Sequence, residues 1–279
     1  MNPYLINEPT FISFSGGRTS GYMLHKVLEA HGGVLPAEAM VVFANTGKEE
    51  EATLKFVNDC SINWNVDITW LEFRDNEQKF EIVNYETASR NGEPFEALIV
   101  KRKFLPNQVT RFCTAELKIK AMQRYAKSLG LESVINMIGI RADEQRRLAK
   151  VGNNYDGKYG EKIAPLGIDG VTKKIVGDFW KAQSFDLGLY NNNGTTMHGN
   201  CDLCFLKGGN QVQSLIAEKP ERAIWWAKME TLVQTSNSTF GDGARFRKDR
   251  PSYQQMYENA HNQKTMDFSD ESIGCFCGD

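Results

Sequence analysis

The chain has 279 residues, 41% hydrophobic and 24% charged, the profile of a globular protein long enough for one large domain or two small ones. Its net charge is -2 at pH 7 and its isoelectric point about 6.2, so bulk charge makes no case for nucleic acid, and only a local patch is left open. No run of ~18 apolar residues exists to cross a membrane, and Met1–Glu8 lacks a basic-then-apolar leader pattern.

Residues 1–9 read as a lead-in. Residues 10–15 form an apolar, β-prone first strand, and Met23, Leu24, Val27 and Leu28 mark one face of a helix over 19–30. Between them lies Ser15-Gly16-Gly17-Arg18-Thr19-Ser20. Adjacent glycines let backbone N–H groups approach an anion, and the helix N-terminus behind them adds partial positive charge. Ser15, Thr19 and Ser20 add hydroxyls, and Arg18 adds a fork suited to phosphate. The stretch reads as a phosphate cradle, with an ordinary β–α turn as the alternative.

Gly32-Gly33 stops the helix. Residues 39–44 form a buried parallel strand ending at Asn45-Thr46-Gly47. Glu49-Glu50-Glu51 opens a second helix, where three acids suit the helix dipole. Residues 66–73 alternate with period two, a third strand. This β-α-β-α-β order predicts an α/β protein with a parallel twisted sheet sandwiched by helices. Both loops then share the carboxyl edge of the sheet, where ligands bind.

The pattern next predicts a helical piece over 79–88 and a turn at Asn91-Gly92-Glu93-Pro94. After the basic Lys101-Arg102-Lys103, a long amphipathic helix follows Cys113, and a strand covers 133–139. That strand leads into Gly139-Ile140-Arg141, which sets an arginine where the sheet delivers ligands. Composition shifts toward Gly and Asn after ~150. Helices are expected over 173–183, 210–218 and 220–234. The organisation expected is a nucleotide-binding α/β domain over 1–180 and a helical, cysteine-bearing region over 181–279.

Six cysteines in a cytoplasmic protein, the location expected here, do not form structural disulfides, so their spacing reads as metal or redox chemistry. Cys60 reads as a buried small hydrophobe among apolar neighbours. Cys113, the pair Cys201 and Cys204, and the terminal pair Cys275 and Cys277 give five candidates for a four-ligand centre. An iron–sulfur cluster, of the 4Fe-4S type, suits such scattered ligands best. Zinc and unligated redox thiols are the alternatives.

These blocks resemble the phosphoadenosine phosphosulfate (PAPS) reductase family of the adenine nucleotide α-hydrolase superfamily. Ser15–Ser20 is similar to its pyrophosphate (PP) loop, usually Ser-Gly-Gly-Lys-Asp-Ser. Phe43–Gly47 with Glu49 resembles its second block, and Arg111–Lys118 its arginine–cysteine–lysine block. Gly139–Arg147 resembles its Gly-x-Arg-x-x-Glu-Ser-x-Arg motif, with Gln145 at the serine. Cys113 with the C-x-x-C is similar to cluster ligands of adenylyl-sulfate reductases and iron–sulfur tRNA thiolases. The Cys275-Phe276-Cys277-Gly278-Asp279 tail is similar to that of relatives in phages and mobile elements.

The chain departs from the pattern at Arg18 for lysine, at Thr19 for aspartate, and in lacking the reductases' terminal Glu-Cys-Gly-x-x-His motif. The resemblance implies a Rossmann-like PP-loop fold that binds an adenine nucleotide through Ser13, residues 15–20, Asn45, Thr46, Gly47, Gly139 and Arg141. The preferred reading is an ATP-dependent, pyrophosphate-releasing sulfurtransferase with Mg²⁺ on the nucleotide. Arg18 and Arg141 would neutralise the leaving group. The acceptor would be tRNA or DNA, met by Arg245, Phe246, Arg247, Lys248 and Arg250.

The alternative is a PAPS or adenylyl-sulfate reductase with Cys277 or Cys275 as nucleophile and thioredoxin as donor. A non-enzymatic nucleotide- or cluster-binding regulator is a third reading. The family also implies a possible homodimer.

Overall fold

The computed structural model describes residues 2–151, 160–192, 195–236 and 244–261. Five elements open it: β1 (Thr10–Ser13), α1 (Arg18–Ala30), β2 (Ala39–Asn45), α2 (Glu51–Trp64) and β3 (Ile68–Glu72). Each strand is an apolar run buried on both faces, as a parallel sheet requires.

The next stretch differs from the sequence expectation. Residues 81–83 are not helical but form a short strand, β4 (Glu81–Val83), antiparallel to β3. Lys79 adopts φ 60°, which no helix interior accepts. Asn84 and Thr87 then close a turn reciprocally, each backbone N–H donating to the other's side-chain oxygen. The helix lies later, as α3 (Glu93–Arg102). Pro94 starts it, Glu93 and Glu96 sit in its first turn, and Lys101 and Arg102 in its last.

A π-helical segment (Thr114–Ile119) runs into α4 (Lys120–Ser128), so the long amphipathic helix expected here carries an irregular first half. There follow β5 (Ile135–Ile138), α5 (Gln145–Val151), β6 (Lys162–Ile163), α6 (Pro165–Ile168) and α7 (Lys173–Lys181). The short antiparallel pair β7 (Asn191–Asn192) and β8 (Thr195–Thr196) precedes α8 (Gly209–Glu218), α9 (Arg222–Ser236) and α10 (Tyr253–His261).

The six-stranded sheet runs β4-β3-β2-β1-β5-β6, parallel throughout except for β4. It is a Rossmann-like α/β fold followed by a helical C-terminal region. One face packs on α1, α2 and α7 around Ile12, Phe43, Phe56 and Trp180. The other buries Phe11, Val42, Leu71 and Val134 beneath α4. A separate apolar cluster joins Phe95 and Leu98 of α3 and Leu117 to Leu203, Val212, Trp226 and Tyr253, so the C-terminal helices dock on α3. No helix among the described residues is long and apolar enough to cross a membrane.

Candidate functional site

Strand β1 has β2 on one side and β5 on the other, so the chain leaves it in opposite directions. A crevice opens beyond the carboxyl ends of β1 and β5 at this switch point. Ser15-Gly16-Gly17 turns through it. Gly16 has φ +79°, and a Cβ there would stand 2.5 Å from Thr53 Cγ2, so the turn excludes a side chain twice over. Gly17 caps α1 without a side-chain hydrogen bond, and no acid occupies the first turn. The positive end of α1 therefore faces the crevice without a protein counter-charge in its first turn.

The serines expected as phosphate donors partly hold the loop itself. Ser15 N and Ser15 Oγ lie 3.1 and 3.0 Å from Ser20 Oγ, which donates to Gly17 O at 2.9 Å. Gly139 ends β5 against α1, where a Cβ would meet Ser20 Cα at 3.2 Å.

Arg18 and Arg141 line one small cavity of about 50 Å³ together with Ser15, Gly16, Gly17 and Thr19. Arg141 Nη1 donates to Thr19 Oγ1 at 2.9 Å and its Nε to Asp143 Oδ1 at 3.0 Å. Burial works to raise the Asp143 pKa, but the Lys173 N–H and the Arg141 guanidinium outweigh it and hold the carboxyl below its ordinary range. Arg18 already has a partner. Its Nε donates to Asp186 Oδ1 at 2.7 Å, its Nη2 to the other carboxylate oxygen, and Nη2 also reaches Leu189 O at 3.1 Å. Trp180 Nε1 donates to Arg18 O at 2.7 Å, which ties α7 to the loop.

The loop after β2 is built on a buried carboxylate. Asn45 is fully buried; its Nδ2 donates to Glu72 Oε1 at 2.6 Å and to Ser89 O at 2.8 Å, while its Oδ1 accepts from Gly47 N at 3.0 Å. Its polar atoms thus shape the loop. Glu49 Oε2 accepts from Thr46 N at 2.9 Å and Thr46 Oγ1 at 2.8 Å. The three acids expected to serve one helix dipole divide their work. Glu49 holds the loop, Glu50 pairs with Arg222, and Glu51 alone lies in the first turn of α2.

The C-x-x-C meets this loop. Thr46 Oγ1 lies 3.5 Å from Cys201 Sγ, Glu49 bridges to Cys201 in antiparallel fashion, and Asp202 N donates to Lys48 O at 2.7 Å. Burial pushes the Cys201 thiol up. Glu49 adds to the rise and so does Cys113, which is close enough to be felt; Lys118 and Thr46 oppose it. Cys113, Cys201 and Cys204 all border the apolar cluster of the C-terminal helices. Cys60 is a buried small hydrophobe, as its neighbours predict.

No group of three or more His, Cys, Asp or Glu among the described residues is arranged to hold a metal ion. Cys275 and Cys277 lie outside those residues. The donors fit a thiolate-bound group in kind, because a cation would relieve the cost of a charged sulfur in this apolar setting.

The basic segment expected to meet nucleic-acid phosphates does other work. Phe246, Arg247 and Arg250 are buried. Arg250 Nη1 donates to Lys207 O at 2.9 Å and its Nη2 to Phe205 O at 3.3 Å. Lys207 Nζ in turn donates to the carbonyls of Gly199, Cys201 and Asp202 at 2.6, 2.7 and 3.1 Å. These cations brace the cysteine turn from within.

The sequence patterns do not reveal a cavity of about 980 Å³ on the α4 face. Phe11, Val42, Met122 and Val134 form its floor, and Ser13, Ser15 and Gly139 border it beside the loop.

A mostly parallel sheet with a Ser-Gly-Gly loop at its switch point defines a Rossmann-like α/β fold. The chain belongs to the family of the phosphoadenosine phosphosulfate reductase domain, whose pattern matches residues 9–165. It is 29% identical over 211 residues to an uncharacterized nin region protein of Escherichia phage lambda, covering 72% of this chain and 67% of that one. An uncharacterized protein of Methanocaldococcus jannaschii is 28% identical over 139 residues, 50% of this chain and 24% of that protein.

Two solved structures are similar. A phosphoadenylyl-sulfate reductase from Candida auris, in a phosphate complex, has a TM-score of 0.42 at 14% identity, over 65% of this chain and 79% of that one. The U34-tRNA thiolase NcsA from Methanococcus maripaludis, with its 4Fe-4S cluster, has a TM-score of 0.38 at 12% identity, over 97% of this chain and 80% of that one.

Proposed function

We propose that the protein binds ATP at the 15–20 loop and carries out sulfur transfer in two steps, using a cluster held by its cysteines: an acceptor oxygen attacks the α-phosphorus and releases pyrophosphate, and sulfide then displaces AMP, which carries that oxygen away. The observation that carries this reading is the contact of Thr46 with Cys201, which sets the cysteine turn against a nucleotide-side loop. In this division of labour, residues 1–180 supply the nucleotide site and residues 181–279 complete the cysteine centre.

The backbone of Ser15–Gly17 and the N-terminus of α1 receive the phosphates. Arg141, beside Thr19, neutralises charge on the leaving pyrophosphate, and Arg18 assists when phosphate competes with Asp186. Mg²⁺ travels with the nucleotide. The large cavity beside Ser13 and Gly139 takes the nucleoside, excluding water from it. Thr46 and Glu49 fix the approach of Cys201 to the nucleotide edge. Cys113, Cys201 and Cys204 would be the thiolates nearest the nucleotide-side loop to hold such a cluster, with Cys275 or Cys277 completing the ligand set. When bound, an iron–sulfur group would supply sulfide for delivery.

The test is anaerobic purification with iron analysis and EPR, then incubation with ATP or PAPS, scoring pyrophosphate against sulfite. The expectation is a cluster lost in Cys201→Ser and pyrophosphate from ATP. Absence of iron, or sulfite release that depends on Cys277, overturns the proposal.

A further inference from the structure

The face made by the end of α3, the π-helical segment and α4 is charged unlike the rest of the chain. Residues 101–127 carry eight lysines and arginines and one acid, in a protein whose net charge is -2. That acid, Glu116, is buried and does not dilute the surface. It gathers cations from two elements: Arg102 of α3, and Lys120 and Arg124 of α4 at 2.8 and 3.2 Å. Three cations around one carboxylate leave an excess of two positive charges at this point alone. Lys101, Lys103 and Lys127 stand exposed around it, with Lys101 also pairing with Asp75 at 2.6 Å. Arg102, Lys120 and Arg124 share one carboxylate and repel one another, a cost that an anionic partner relieves.

The same face leads into the large cavity. Thr114, Lys118 and Ile119 of the π-helical segment, and Met122 and Lys127 of α4, line it. Arg147, Lys150 and Lys162 line it from the β5–β6 side. An apolar floor under a cationic rim suits a flat base attached to phosphates. π-Helical turns recur at functional sites, and this one begins at Cys113.

We infer that this face binds the sugar–phosphate backbone of a single-stranded nucleic acid and admits an unpaired base toward the cavity. A duplex keeps its bases stacked and cannot offer one. An acidic protein would satisfy the lysines but bring no flat base to the α4 side of the cavity, whose volume of about 980 Å³ leaves room beside the nucleoside of ATP. The inference rests on the proposed sulfur transfer for the fate of that base, but not for the binding itself.

The test uses the full chain and a fluorescent mixed-sequence single strand of about 20 nucleotides, as RNA and as DNA, with the matching duplex and poly-glutamate as competitors. Binding is followed by anisotropy across a salt series. The wild type should bind the single strand in preference to the duplex. Lys101→Gln with Lys103→Gln should weaken binding about tenfold and lower the log–log salt slope by about 1.4, the loss expected for two phosphate contacts to a single strand. Lys120→Gln, read beside a thermal melt, should act in the same direction.

Preference for RNA or for DNA identifies the source of the strand. No binding at low salt, no change in the double variant, or equal competition by poly-glutamate overturns the inference. ATP titrated into the wild type separates the two readings. Lost ATP binding with retained strand binding sinks the proposed function alone.

Discussion

Glu72 holds Asn45 from beneath the β2 loop, with the Asn45 amide donating to the carboxylate at 2.6 Å and both side chains buried. The same carboxylate accepts from Ser89 N and Ser89 Oγ, each at 2.6 Å, and faces Arg74 Nη1 at 2.7 Å. A buried charge with this many donors is satisfied; removing either partner leaves polar groups stranded. Glu72→Ala should cost about 3 kcal/mol and Asn45→Ala about 2 kcal/mol of unfolding free energy, measured in urea. The double variant should cost less than the sum by about 1 kcal/mol, because both lose the same bond. Strict additivity would show that the two residues act separately.

Gly16 should be intolerant for two separable reasons. Its φ of +79° costs an L side chain about 1–2 kcal/mol, and the 2.5 Å approach to Thr53 Cγ2 adds overpacking of about 1–3 kcal/mol. Gly16→Ala should therefore lower stability by at least about 2 kcal/mol and abolish nucleotide binding. Adding Thr53→Ser removes the offending methyl, and should restore the packing part but not the backbone part. Full rescue in thermal melts would mean that backbone conformation does not matter there.

The paired Arg18 and Asp186 make an opposite kind of prediction. Burial works to raise the Asp186 pKa, yet the Arg18 guanidinium prevails and the carboxyl is held below its ordinary range. A carboxyl depressed on folding stabilises the protein above its unfolded pKa, and that contribution fades as pH falls through the lower folded value. Asp186→Asn should thus lose an acid-side dependence of stability while freeing Arg18 for anions. Pyrophosphate affinity, measured by calorimetry, should rise several-fold in Asp186→Asn and fall about tenfold in Arg141→Ala. A weaker affinity in Asp186→Asn would make the ion pair part of the binding geometry.

What could be read from the sequence follows the range of the forces involved. The β1–α1–β2–α2–β3 unit was legible because apolar period and glycine turns act within a few residues. The places of Gly16 and Arg141 beside one cavity were legible for the same reason: each follows a strand end. Residues 81–83 were not, because a three-residue strand takes its identity from pairing with β3. Asp186 lies 168 positions from Arg18, and no local pattern announces such a partner. Arg247 and Arg250 read as surface charge since arginines are rarely buried, and their place is explained by partners remote in sequence, the carbonyls of Phe205 and Lys207, together with Asp249 and Tyr253. The large cavity is a gap between α4 and the sheet, and no single segment encodes it.

Glu230 predicts how stability depends on pH. It is buried where α9 meets α10, and accepts from Phe246 N at 3.2 Å and from Tyr253 N, the start of α10, at 2.9 Å. Burial pushes its carboxyl up to about 7, against these N–H groups and the charges of Arg245 and Arg250, which favour the ionised form. A carboxyl raised on folding favours the folded state while protonated. Below pH about 4.5 both states hold the proton and stability does not change. Between about 4.5 and 7 the unfolded chain ionises first, so stability falls with rising pH. Above about 7 both are ionised and the loss is complete. A rise of this size corresponds to roughly 3 kcal/mol across the window. Urea unfolding at pH 5 and pH 8 should show the wild type weaker at the higher pH. Glu230→Gln, which carries no proton to lose, should flatten the difference. A wild-type profile that rises from pH 5 to 8, unaltered by Glu230→Gln, would place the ionised carboxylate, with its two N–H donors, as the stable buried form.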